Sequence, residues 1–130
     1  MMLDEILSQD RLARELFERA RIPFAQLDSL LTRAASPGES YTQQARKRSH
    51  RSISKGSYVR SLKQGESAVS RTLYRLFLLQ YLELIGPASI EGLVRVSQAL
   101  ARSRDEPVSG EGIVNILRIA DQVARLFPLV

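Results

Sequence analysis

Apolar residues recur at helical spacing along most of the chain. Leu3, Ile6, Leu7, Ala13, Leu16, Phe17 and Ala20 share a face, which predicts an amphipathic helix over 3–21. Pro23 ends it or opens the next. Phe24, Leu27, Leu31 and Ala34 predict a shorter helix over 23–35, stopped by Ser36-Pro37-Gly38. Residues 37–53 lose the pattern and are rich in Ser, Gln and Arg, so a mobile linker is expected, with at most a helical turn around Gln43–Arg48. A short helix over 54–64 follows, with Ser54 as N-cap and Val59 and Leu62 on one side. Gly65 reads as a break, and Ser67 as the cap of a long helix over 66–85.

From Leu73 to Ile85 only Arg75, Gln80 and Glu83 are polar. A helix so apolar on most sides is expected to be buried as a central helix or in a subunit interface. Gly86-Pro87 should terminate it. Ile90, Leu93, Val94 and Leu100 predict an inward face on a helix over 88–103. Residues 104–110 form a loop, and a wide apolar face predicts a last helix over 111–127. The expectation is an all-α fold of about six helices. It divides into an N-terminal helical hairpin (1–36), a basic mobile arm (37–53) and a helical core (54–130). The two wide apolar faces exceed what a small monomer needs, so a homodimer is expected.

Charge changes this picture. The net charge of +5 is not spread evenly. Residues 1–40 carry −2, residues 41–75 carry +8 and residues 76–130 carry −1. The whole excess lies in the middle, on Arg46, Lys47, Arg48, Arg51, Lys55, Arg60, Lys63, Arg71 and Arg75, with Glu66 as the one acid. Such a block seeks a polyanion. Sixteen of the nineteen cations are arginine, whose planar fork suits phosphate and guanine. An acidic membrane surface fits less well, because residues 41–55 offer only Tyr41, Ala45 and Ile53 as apolar contacts.

Catalytic chemistry is poorly supplied. There is no cysteine, and the single histidine, His50, sits among cations. Thiolate catalysis, cysteine-held metals and multi-histidine sites are excluded, and no enzyme activity, metal or cofactor is expected. The charged N-terminal stretch is unlike a signal peptide, and no 18-residue stretch lacks charge, so a cytoplasmic protein is expected.

Two short helical segments about a glycine suggest a helix-turn-helix. The stretch Ile53-Ser54-Lys55-Gly56-Ser57-Tyr58-Val59-Arg60 is similar to the start of the recognition helix in tetracycline-repressor-type and other helix-turn-helix regulators. The resemblance covers about ten of the 130 residues. The basic run Arg46–Ser52 before it lacks that family's apolar packing residues, and the tyrosine stands one position early. A second register places Gly65 in the turn, with the second helix starting near Ser67 and a core of Val59, Leu62, Val69, Leu73 and Leu76. This register is preferred. It puts Ser67, Ser70 and Arg71 at a helix start, where free N–H groups bind phosphate.

The candidate nucleic-acid contacts are therefore Arg46, Lys47, Arg48, Arg51, Lys55, Ser57, Tyr58, Arg60, Lys63, Ser67, Ser70 and Arg71. Tyr58 is alternatively a core anchor. The arm from Arg46 to Arg51 would enter a minor groove or simply attract phosphate. The leading reading is a duplex-DNA-binding transcriptional regulator. The alternatives are an RNA-binding protein, opposed by the core-like placement of most aromatics, and a helical adaptor for an acidic protein.

Overall fold

The computed structural model describes residues 2–48, 53–106 and 108–126. Among these residues all regular structure is helical, in seven helices: α1 (Leu3–Gln9), α2 (Arg11–Ala20), α3 (Phe24–Ala35), α4 (Tyr41–Arg46), α5 (Lys55–Tyr81), α6 (Pro87–Asp105) and α7 (Gly110–Leu126). No helix among the described residues is long and apolar enough to cross a membrane. The chain forms two compact units, Met1–Thr72 and Leu73–Val130, and the boundary falls inside α5. This differs from the expected division at 36 and 53.

The helix expected over 3–21 is two helices. Asp10 adopts an extended conformation, and its carboxylate accepts the Ala13 N–H at 3.0 Å, capping α2. Its own N–H donates to the Ile6 carbonyl at 2.8 Å and closes α1. A short acidic side chain that satisfies backbone donors competes with helix continuation, and here it wins. Arg14 reaches back to the Leu7 carbonyl at 3.1 Å, covering an acceptor left open at the end of α1. Arg21 in the left-handed region ends α2, and Phe17 and Phe24 meet edge to face across the turn.

The helical turn expected around Gln43–Arg48 is present as α4. Ser40 and Gln43 form a capping box: the Ser40 hydroxyl accepts the Gln43 N–H, and the Gln43 carboxamide accepts the Ser40 N–H. Gln44, Ala45, Tyr58 and Leu62 are fully buried. The Gln44 amide nitrogen donates to the carbonyls of Ser36 (3.2 Å) and Glu39 (3.0 Å). Its carboxamide oxygen accepts the Tyr58 hydroxyl at 2.6 Å. Leu30, Ile53 and Val59 pack around Ala45, Tyr58 and Leu62. The polar segment is ordered by a satisfied buried network rather than by apolar area alone.

Helix α5 runs unbroken through Gly65, so the expected turn and the two-helix reading of 54–85 are corrected. Ser54 does cap α5 as expected, accepting the Ser57 N–H at 3.2 Å. Glycine inside a helix costs about 1 kcal/mol relative to alanine. Here the residue is buried because α5 runs close to α3: a Cβ on Gly65 would lie 3.0 Å from Leu30 Cγ and Cδ1 and 3.3 Å from the Gln26 carbonyl oxygen.

In the second unit, α5 ends before Gly86. The Leu84 N–H donates to the Leu79 carbonyl and the Glu83 N–H to that of Gln80, a Schellman closure with Glu83 at φ 58°. Gly86 and Pro87 instead open α6. Helices α6 and α7 pair antiparallel, with Gly92 admitting Val123. Ile85 and Leu117 are buried. Leu93 and Val94, expected inward, are exposed, as are Leu73, Tyr74, Phe77, Leu78, Tyr81, Leu82 and Leu84. The C-terminal half of α5 is therefore not the buried central helix its composition suggested.

Two outcomes are expected in denaturant unfolding. Gly65→Leu drives side-chain atoms into Leu30 and should cost about 2 kcal/mol. Tyr58→Phe strands the buried Gln44 oxygen and should cost about 1–3 kcal/mol. Burial, the largest influence, raises the Tyr58 hydroxyl above the ordinary tyrosine value. The neutral form is thus favoured in the folded state. Its stabilising contribution is complete below the unfolded value of about 10 and is lost as pH rises through the folded one. Tyr58→Phe should abolish that alkaline loss.

Candidate nucleic-acid interface

The unbroken α5 sorts its side chains by helical period. Tyr58, Leu62 and Gly65 face inward. Arg60, Lys63, Ser67 and Arg71 fall at i, i+3, i+7 and i+11, on the opposite side, and all four are exposed. They line one face over about 16 Å of helix. Ser70 is exposed beside them. Among the described residues, Arg60, Lys63 and Arg71 make no ion pair. Glu66 is not on this face, and its charge acts on Arg33.

The other basic residues of the block have different fates. Arg46 and Lys55 are exposed, at the last turn of α4 and the first turn of α5. A cation in a first helical turn opposes the helix dipole, so Lys55 is unfavourable to α5 unless an anion approaches. Gly56 beside it has open space where a Cβ would stand. Lys47 pairs with Glu39. Arg51 and His50 lie outside the described residues.

Two candidate contacts are corrected. Tyr58 is wholly buried and hydrogen-bonded to Gln44, so it is a core anchor with no face for a base. Arg48 donates through Nε to the Asp28 carboxylate at 2.8 Å, with the arginine side chain 10% and the aspartate 1% exposed. It ties the segment after α4 to α3 and is withdrawn from the contact surface. Ser57 is engaged in the cap, its N–H on the Ser54 hydroxyl and its own oxygen accepting from that hydroxyl at 3.0 Å. Ser67, Ser70 and Arg71 do not stand at a helix start. Their backbone N–H groups lie inside α5, so phosphate binding by free amides at that point is removed. Their side chains remain available.

Arg33 is a cation the sequence reading passed over. It lies over the Tyr41 ring at 5.5 Å and donates to the Tyr41 hydroxyl at 3.1 Å. That hydroxyl, aided by Glu66, raises the guanidinium above its ordinary value. Its spacing in sequence carries no sign of this partnership. No group of three or more metal-ligating side chains occurs among the described residues.

The two kinds of arginine should separate in thermal or denaturant unfolding. Arg48→Ala removes a charged hydrogen bond from the buried Asp28 carboxylate and should cost about 1.5–3 kcal/mol. Alanine at Arg60, Lys63 or Arg71 should change stability by no more than about 0.5 kcal/mol each. A comparison with protein-family models, curated proteins and solved structures finds no match to this chain.

Proposed function

We propose that this protein binds duplex DNA through the exposed cationic face of its first unit and acts as a homodimeric, cytoplasmic regulator of transcription. The observation that carries this reading is the division of labour among its cations. Arg19, Lys47 and Arg48 are matched with Glu15, Glu39 and Asp28. Arg60, Lys63 and Arg71 share one exposed face and have no such match among the described residues. Unmatched guanidinium and ammonium groups at helical spacing suit a row of phosphates, where each contact releases a counterion. The binding element is a single helix face supported by α3 and α4. The helix-turn-helix about Gly65 is not part of the proposal. Ser67 and Ser70 supply hydroxyl donors along the same face, and Arg46 and Lys55 extend the charge.

One observation favours RNA as a second reading. Tyr74, Phe77 and Tyr81 are exposed, at 69%, 57% and 86%. The sequence reading disfavoured RNA because aromatics looked like core, and these three are available for stacking.

A salt titration distinguishes the outcomes. Five exposed cations of the first unit on phosphates give a slope of log K against log salt of about −4 to −5 on duplex DNA. The triple variant Arg60→Ala, Lys63→Ala, Arg71→Ala should reduce that slope by roughly 2 to 3. Tighter binding to an RNA hairpin than to the duplex would favour RNA. Equal binding to heparin and DNA, with an unchanged slope in the triple variant, would remove the nucleic-acid reading.

A further inference from the structure

The turn that joins α3 to α4 in the first unit borders a pocket of about 630 Å³, lined by residues that include Arg33, Ala34, Pro37, Glu39, Tyr41 and Gln44. That volume lies in the range of small-ligand sites. Its walls are fixed without a ligand. Gln44 holds the Ser36 and Glu39 carbonyls through its amide nitrogen. The Ser36 N–H donates to the Arg33 carbonyl and the Glu39 N–H to the Ser36 carbonyl, each at 3.3 Å.

Two side chains of opposite charge on this lining have unused hydrogen-bonding capacity. Arg33 is exposed and makes no ion pair among the described residues. One N–H goes to the Tyr41 hydroxyl, and the guanidinium lies over the Tyr41 ring. Those contacts hold the fork in place and leave donors for a carboxylate. Glu39 spends Oε1 on Lys47, while Oε2 is covered and has no hydrogen-bond partner among the described residues. Native structures rarely leave such an oxygen without a donor. The Glu39 side chain is 32% exposed, so a small rotation brings Oε2 to a donor in the pocket. Ala34, Pro37 and the Tyr41 ring supply the apolar part of the lining.

We propose that this pocket binds an α-amino acid with an apolar side chain. Its carboxylate sits on Arg33, its ammonium on Glu39, and its side chain against Ala34, Pro37 and Tyr41. A plain organic anion would leave Glu39 Oε2 without a donor, and a plain amine would leave Arg33 without an acceptor. The site is distinct from the cationic face of α5 and stands whatever that face binds.

Titration of the full chain with L-leucine, followed by the backbone amide signals in NMR, tests it. A Kd of about 0.1–1 mM is expected for a ligand of this size, with shifts centred on residues 33–44. N-acetyl-L-leucine lacks the ammonium and L-leucinamide lacks the carboxylate. Each should bind at least about tenfold more weakly than leucine. Arg33→Gln should weaken leucine at least about tenfold and leave leucinamide unchanged, which a general loss of structure would not do. Glu39→Gln should weaken leucine and leave N-acetyl-leucine unchanged. Absence of shifts at about ten times the upper Kd, with leucine and with L-phenylalanine, would overturn the site. N-acetyl-leucine or leucinamide binding as tightly as leucine would overturn the zwitterion assignment. Leucine binding indifferent to both substitutions, or shifts centred elsewhere, would overturn the proposal.

Discussion

The first unit depends on one buried polar bond, from the Tyr58 hydroxyl to the Gln44 carboxamide. Neither group belongs in a dry interior unless both are satisfied, and each is the other's partner. Tyr58 comes from the start of α5 and Gln44 from α4, so the bond joins two elements separated in sequence by the basic residues that follow α4. Gln44 in turn holds the carbonyls of Ser36 and Glu39, which fixes the turn between α3 and α4. The apolar contribution around it is small: Ala45 and Leu62, with Leu30, Ile53 and Val59 at the margin. In so lean a core, a polar network that is fully paired specifies position as well as contributing stability.

That network also decides which charges are free. Ordering residues 40–48 brings Arg48 to Asp28 and Lys47 to Glu39, and so consumes two cations of the block. Tyr58, Leu62 and Gly65 fix the roll of α5 about its axis. Once the roll is fixed, Arg60, Lys63, Ser67 and Arg71 have no direction but outward. The cationic face is therefore a by-product of core packing, and the candidate function follows from the orientation of one helix rather than from a motif.

Much of the fold was legible in the sequence. The apolar periods locate α3, α6 and α7 within a few residues, and Ser54 marks the start of α5. The misses share a cause. Asp10 reads as one more polar residue of an amphipathic helix, and only its side-chain bond to Ala13 makes it a break. A glycine between two short helical patterns looks the same whether it ends a helix or admits a neighbour. The neighbour at Gly65 is Leu30, thirty-five positions away. The polar stretch 37–53 has few apolar residues, and the placement of α4 comes largely from capping and carboxamide bonds that composition does not register. In the candidate site, charge density located the block, but Asp28, the partner of Arg48, lies twenty residues upstream and is brought near only by folding.

The boundary between the two units falls within a helix, between Thr72 and Leu73, and not in a loop. Domains joined by a flexible linker can be cut apart at little cost, because the linker's backbone is already solvated. Here a cut would sever α5 near its middle, leaving four unpaired carbonyls on one fragment and four unpaired N–H groups on the other. Dissecting the chain for expression, or grafting either unit elsewhere, therefore requires carrying extra turns of the shared helix with each piece.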